Sequence, residues 1–121
     1  MIHIVLPWPG KRVSPNYRQS HSWRAYAPAV KAQRTEAHAL TLAAIMPNRP
    51  TLPEGKIAVE MNLYPPDRRG RDEDGMIGSC KSALDGIADA LHVDDKRFRC
   101  TYFFHAPEKP GRIVVRIGRP S

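Results

Sequence analysis

Carboxylates concentrated in the middle of a basic chain are the residues with the clearest potential for chemistry. Eight of the twelve Asp and Glu residues lie between Asp67 and Asp95, although the chain has a formal net charge of +7. The net charge favours a polyanionic partner, which the acidic cluster would repel unless a cation lay between them. Magnesium binds through carboxylates, waters and phosphate oxygens. The pattern therefore predicts a divalent metal shared between aspartates and a phosphate, as in a metal-dependent nuclease.

Two aspartates separated by one residue, Asp72 and Asp74, are the first candidate metal ligands. In extended backbone, side chains two residues apart point the same way, so both can ligate one ion. Asp95 is the expected third ligand, with Asp94 as a substitute. The alternative is structural, because Asp72 or Asp74 can cap the helix that follows and Asp94-Asp95 can form a solvated turn.

Basic residues near the acidic motif are candidates for binding phosphate. Three of them flank it directly and are expected to hold phosphates beside the scissile bond: Arg68, Arg69 and Arg71. Lys81 is expected on the same helix face as Asp74, where it either contacts phosphate or pairs with Asp85 at i+4. The N-terminal segment supplies further candidate phosphate contacts: Lys11, Arg12, Arg18 and Arg24.

Hydrophobic periodicity predicts the elements that must position these residues. Apolar residues alternate at 2–6 and 56–64, which indicates strands there. Two further strands are predicted at about 97–104 and 113–117. Helices are predicted from about 28 to 45 and from about 75 to 91, with a long polar loop at 11–27. The order β-α-β-α-β-β predicts an α+β fold, a mixed sheet packed by two helices.

Length and composition are those of a single domain, residues 1–121. No apolar run is long enough for a membrane span, and the sequence pI near 9.9 favours nucleic acid over an anionic membrane as the partner. Cys80 and Cys100 are too few for a disulfide framework and lack zinc-type spacing. Buried, reduced thiols of a cytosolic protein are expected.

Three motifs together resemble the RusA family of Holliday-junction resolvases, which is common in prophages. They are RRGRDED at 68–74, KSALDGI at 81–87 and VDD at 93–95. The opening LPWP at 6–9 and SPN at 14–16 are also similar to that family. The resemblance therefore covers nearly the whole chain.

The resemblance implies a RusA-like homodimer that depends on Mg²⁺, with Mn²⁺ as a substitute. Its activity would be an endonuclease that places paired symmetric nicks across four-way DNA junctions in recombination and repair. The location implied is the cytoplasm, for a bacterial or phage-encoded protein. Transferred to this sequence, the metal-binding catalytic residues are Asp72, Asp74 and Asp95, and the functional lysine is Lys81. The implied DNA-binding residues are Arg68, Arg69, Arg71, Lys81, Asn16 and Arg18.

Two alternatives in function remain beside this expectation. The chain has Gly75 where RusA-family members usually have asparagine, which favours a non-catalytic protein that binds branched DNA. The other alternative is a magnesium nuclease for other branched nucleic acids.

The position of Asp95 leaves a second question open. A continuous helix over 75–91 would separate its ends by about 25 Å. Asp95 therefore either returns through a shorter or bent helix, with Gly78 and Gly86 as weak points, or completes the site of a partner subunit whose helix lies antiparallel across the dimer axis. The apolar stripe of that helix and the final strands are the candidate dimer interface.

Overall fold

The computed structural model describes residues 1–118, which form a mixed four-stranded sheet with helices packed against it. The strands are β1 (Ile2–Pro7), β2 (Ile57–Tyr64), β3 (Phe98–Phe104) and β4 (Arg112–Gly118). The helices are α1 (Pro15–Ser20), α2 (Trp23–Ile45), α3 (Glu73–Gly78) and α4 (Lys81–Leu91), with 3₁₀ turns at Lys11–Val13 and Asp95–Arg97. The predicted α+β class, the mixed sheet and the four strands are confirmed. No helix among these residues is long and apolar enough to cross a membrane.

The sheet has the strand order β1-β4-β2-β3. β4 lies antiparallel to both β1 and β2, so Val115 faces Ile4 on one side and Met61 on the other. β3 is parallel to β2, and a parallel pair needs a crossover connection, which contains α3 and α4. Because β1 and β2 both oppose β4, they run in the same direction and end at the same edge of the sheet.

The core lies between one face of the sheet and the pair α2 and α4. β1 alternates strictly between buried and exposed residues, as the period-2 pattern predicts. α4 contributes Leu84, Ile87 and Leu91, all buried. The apolar stripe that was a candidate dimer interface is therefore largely used within the chain.

The prediction of a polar loop over 11–27 is wrong, because that segment is mostly helical. Ser14 caps α1, its hydroxyl oxygen accepting a hydrogen bond from the Tyr17 amide at 3.2 Å, and Pro15 occupies the first turn. This is a standard helix start. α2 begins at Trp23, five residues before Pro28. The proline removes one backbone hydrogen bond, which a helix of 23 residues tolerates.

The prediction of one helix over 75–91 is also wrong, because α3 and α4 are separate helices with Ser79 and Cys80 between them. Gly78 lies so close to the Pro15 ring that a Cβ there would overlap it. The Ser79 hydroxyl donates to the Gly75 carbonyl at 2.8 Å, and the Ser79 carbonyl accepts from Gln33 Nε2 at 2.9 Å. A Gly-Ser pair whose serine bonds the backbone is a recognised cause of helix interruption.

Gly86 sets the spacing between α4 and α2. A Cβ at this position would overlap the Arg34 carbonyl oxygen and lie 3.1 Å from Ala37 Cβ. Backbone carbonyls cannot move aside as the end of a flexible side chain can. The two helices therefore approach each other at this point to a distance that only glycine permits.

We predict that Gly86→Ala destabilises the fold by about 1–3 kcal/mol, the usual effect of overpacking a core. Alanine normally stabilises a helix by about 1 kcal/mol relative to glycine, so the sign of the change is diagnostic. The measurement is the free energy of unfolding in urea. Gly75→Ala in α3 is the matched control, because its Cβ would meet Asp72 Oδ2 at an ordinary 3.6 Å. Equal effects of the two substitutions would contradict the close approach.

Candidate functional site

The candidate site lies at the edge of the sheet where β1 and β2 end. Trp8 follows β1, Pro66 follows β2, and the turn before β4 meets both of them. A Cβ at Gly111, whose φ is +89°, would lie 2.9 Å from the Pro66 nitrogen and 3.0 Å from Trp8 Cβ. Glycine is therefore required there for both its backbone conformation and its lack of a side chain. This contact fixes where the acidic loop at 65–72 begins.

Arg71 holds the acidic loop in shape. Its Nη1 donates to the carbonyl oxygens of Asp67 and Arg69, each at 3.1 Å, and contacts Asp67 Oδ1 at 2.9 Å. Its guanidinium also lies 5.6 Å from the centre of the Trp8 ring, within the range of a cation–π contact. The hydrogen bond from Arg71 lowers the pKa of Asp67 from its usual value, assisted by the Arg69 amide. Only 13% of the Arg71 side chain is exposed.

The other two arginines of the loop are free of that structural role. Arg68 and Arg69 are exposed, and the main-chain amide of Arg69 donates to Asp67 Oδ1 at 3.0 Å. This bond shapes the turn and leaves the guanidinium available. Of the three arginines predicted to contact phosphate, Arg69 therefore combines exposure with a fixed backbone.

Asp72 and Asp74 lie at the start of α3. Asp72 is the N-cap residue, and its Oδ2 accepts a hydrogen bond from the Gly75 amide at 3.2 Å. The structural alternative for Asp72 is thus confirmed. Asp74 is the second helical residue, so the i, i+2 rule of extended backbone does not set its direction. Both side chains are exposed, where the positive end of a helix favours negative charge.

A groove with a volume of about 400 Å³ joins the acidic loop to the N-terminal segment. Asp72 lies on its wall together with Lys11, Asn16, Arg69 and Arg71. The structure therefore brings three cations and one carboxylate to a single concave surface. Asn16, which only the resemblance assigned to DNA, belongs to that surface through its position in α1.

Lys81 and Asp95 form a second cluster on the exposed side of α4. Lys81 Nζ lies 2.9 Å from Asp95 Oδ2 and 3.4 Å from Asp85 Oδ1. The hydrogen bond from Lys81 lowers the pKa of Asp95, and the hydrogen bond to Asp95 raises the pKa of Lys81. The segment after α4 thus folds back along the helix. The predicted pairing of Lys81 with Asp85 is confirmed, but the shorter contact is the one to Asp95.

The chemistry of Asp72 and Asp74 fits magnesium. One Asp72 oxygen makes the capping bond and the other remains for a ligand, and Asp74 is exposed beside it in sequence. Two carboxylates with waters and phosphate oxygens are a set that magnesium accepts. Within residues 1–118 of one chain, no three His, Cys, Asp or Glu side chains gather into a group that could hold a metal ion. Asp95 is instead in the ion pair with Lys81.

The remaining predicted residues lie apart from the groove walls. Arg18 in α1 is half-buried, and its Nε is buried without a hydrogen-bond partner among the residues that the structure describes.

Trp8, which the sequence analysis did not assign to the site, lies under Arg71 and lines the groove. Knowing that β1 and β2 run in the same direction would have placed Trp8 beside the acidic loop.

Comparison with known proteins gives one informative relative. An uncharacterized protein of Xylella fastidiosa (strain Temecula1 / ATCC 700964) is 39% identical over 98 residues, which are 81% of this chain. The chain spans 63% of the length of that relative. No protein-family model matches the sequence.

We predict that Lys81→Met raises the pKa of Asp95 toward the ordinary aspartate value, because Lys81 is the main cause of its depression. A depressed folded pKa stabilises the fold above the unfolded carboxyl value of about 3.9, and this contribution is lost as the pH falls. A carboxyl-detected NMR titration measures the shift.

The control for this titration is Arg34→Met, which removes the cation bonded to Asp89 at 2.7 Å. It should raise the pKa of Asp89, whose depression is due chiefly to Arg34, and leave that of Asp95 low. An unchanged Asp95 titration in Lys81→Met would contradict the ion pair.

Proposed function

We propose that the protein is a magnesium-dependent endonuclease of the RusA type that resolves four-way DNA junctions by paired symmetric nicks. It would act as a homodimer in the bacterial cytoplasm, in DNA recombination and repair. The observation that carries the proposal is the groove that Asp72 lines together with Lys11, Arg69 and Arg71. A carboxylate among cations is the combination expected where a metal ion and a phosphate share one surface.

The groove residues have separate tasks in this proposal. Lys11 and Arg69 hold the phosphates on either side of the scissile bond, because both are charged and line the same surface. Asn16 donates or accepts a neutral hydrogen bond beside them. Arg71 keeps the loop in shape through Asp67 and so acts as a positioning residue.

The carboxylates Asp72 and Asp74 would hold the magnesium, with phosphate oxygens and waters as its other ligands. Magnesium held by these carboxylates would supply Lewis-acid stabilisation of the phosphoryl oxygen and a lowered pKa for an attacking water. The start of α3 keeps the two carboxylates exposed and close in sequence. Its backbone amides also favour the negative charge that builds up there.

Lys81 and Asp95 take part as a pair in the proposed site. Lys81 is protonated at neutral pH as an ordinary lysine is, and its hydrogen bond to Asp95 raises its pKa further. A protonated lysine can neutralise a phosphate or the developing charge on a leaving oxygen. If Asp95 ligates the metal, Lys81 is released toward the DNA.

We predict that Asp74→Asn separates binding from cleavage. The change removes a metal-binding charge at constant volume, so cleavage of a synthetic four-way junction in magnesium should fall about a hundredfold or more, as when one charge-stabilising group is lost. Binding should persist or tighten, because repulsion of phosphate decreases. Fluorescence anisotropy measures binding, and gel analysis measures nicking.

The matched control is Glu73→Gln, which changes the same charge one residue away on the same exposed turn. It should retain cleavage. Normal cleavage by Asp74→Asn would remove Asp74 from the metal site. Tight junction binding by the unaltered protein without any nicking would instead favour the non-catalytic alternative.

We predict that Arg69→Ala weakens binding to junctions of every sequence and flattens the plot of log affinity against log salt by about one unit. Each neutralised phosphate contributes a slope of about 0.9 on B-form DNA. Arg116→Ala is the control, because Arg116 lies on the sheet face opposite the core and pairs with Glu60. Identical slopes for the two variants would show that Arg69 is a solvated loop residue without a phosphate contact.

A further inference from the structure

β3 is an edge strand without the usual protection. It lies at the end of the sheet order, beside β2 alone. Its sequence FRCTYFF contains no proline and only one charged residue, Arg99. Natural edge strands usually avoid pairing with other chains through prolines, bulges or several charges. The free backbone groups along this edge are therefore available for another strand.

The side chains of β3 are only partly covered by the rest of the chain. None of its seven residues, all of which the structure describes, is buried. Phe98, Cys100 and Tyr102 pack against the core but remain half-exposed. On the other face, 43% of Phe103 is exposed. Phe104, which ends the strand on the inner face, is 37% exposed. A strand added at this edge would cover apolar surface on both faces of the sheet.

The sequence of β3 is complementary to itself when two copies run antiparallel with Thr101 at the centre. In that register all seven residues pair, and Arg99 faces Phe103 of the partner subunit. Arginine over an aromatic ring is favourable, and the two Arg99 side chains stay apart. On the inner face, Phe98 meets Phe104 and Cys100 meets Tyr102. A register centred on Arg99 would instead oppose like charges.

We infer that the occupant of this edge is a second copy of the chain, and that antiparallel pairing of β3 with β3 forms a continuous eight-stranded sheet about a two-fold axis at Thr101. Such an interface is isologous, as a symmetric dimer requires. The inference specifies the surface of the homodimer in the proposed function, and rests on that function only for the use of the two-fold axis in placing paired nicks.

Charge substitutions at position 103 test the register. Phe103→Arg places arginine opposite Arg99 and should weaken the dimer at least tenfold more than Phe103→Glu, which places a carboxylate there. Adding Arg99→Glu to Phe103→Arg should restore association. Light scattering and sedimentation equilibrium, without DNA or magnesium, measure dissociation of a species twice the 13.6 kDa chain. Circular dichroism checks that each variant folds.

Cysteine cross-linking gives an independent measurement. In a Cys100→Ser background, Thr101→Cys should form an intermolecular disulfide under mild oxidation, because the two positions face each other. Arg99→Cys in the same background is the control. Its two copies would lie four residues apart along the strands, about 13 Å, beyond the roughly 7 Å that a disulfide can bridge.

Three results would overturn the inference: a monomeric unaltered protein, equal effects of Phe103→Arg and Phe103→Glu, or equal cross-linking at positions 99 and 101. Junction cleavage is assayed separately. A β3-paired dimer that cuts no junction would leave the interface standing and refute the proposed function. Cleavage by a protein whose β3 stays unpaired would do the reverse.

Discussion

The placement of β4 between β1 and β2 is the constraint on which the candidate site depends. Because β4 opposes both strands, their ends emerge at one edge, and Trp8 and Pro66 meet there beside Gly111. β1 and β2 do not pair with each other, so Trp8 and Pro66 come together only when β4 lies between the two strands. The groove, the acidic loop and the start of α3 all follow from that edge. The chemistry proposed for the chain thus depends on a strand that contributes no residue to it.

Charge is divided between holding the loop together and facing the groove. Asp67 and Arg71 neutralise each other and shape the loop, which leaves Arg69 and Asp72 exposed a few residues away. Without the inner pair, the loop would lose the hydrogen bonds from Arg71 to the carbonyl oxygens of Asp67 and Arg69. The basic chain therefore uses part of its acidic cluster for structure. The carboxylates that remain are the ones at the helix start.

The sequence predicted those parts of the fold that depend on local periodicity. Alternation in β1 and β2 gave correct strands, because one face of each is buried and a shift by one residue would expose it. The helix break at Ser79 follows Gly78, one of the two weak points named in the sequence. The sequence alone could not choose between a broken and a continuous helix, because the close approach of Pro15 to Gly78 comes from the N-terminal segment. The helices within 11–27 were not predicted, because the polar residues of this segment were interpreted as a loop and Ser14 was not recognised as a helix cap.

The candidate site was also predicted only as far as local sequence patterns allow. Spacing identified Asp72 as a candidate ligand and also as a candidate cap, and the structure shows the cap directly. The spacing of residues could not show that Asp95 folds back onto Lys81, because that contact depends on the path of the chain after α4. Trp8 was not assigned to the site, since its place beside the acidic loop requires the strand order. The types of the site residues are evident from the local sequence, whereas the contacts between distant residues are not.

The order of strands also determines how the chain can fold during synthesis. β1 is made first and pairs only with β4, which is made last, whereas β2 can already pair with β3. The sheet cannot grow one strand at a time from its N-terminal end. Long-range pairing of this kind slows folding and leaves strand edges exposed in the nascent chain. Until β4 is made, β1 therefore has no strand to pair with.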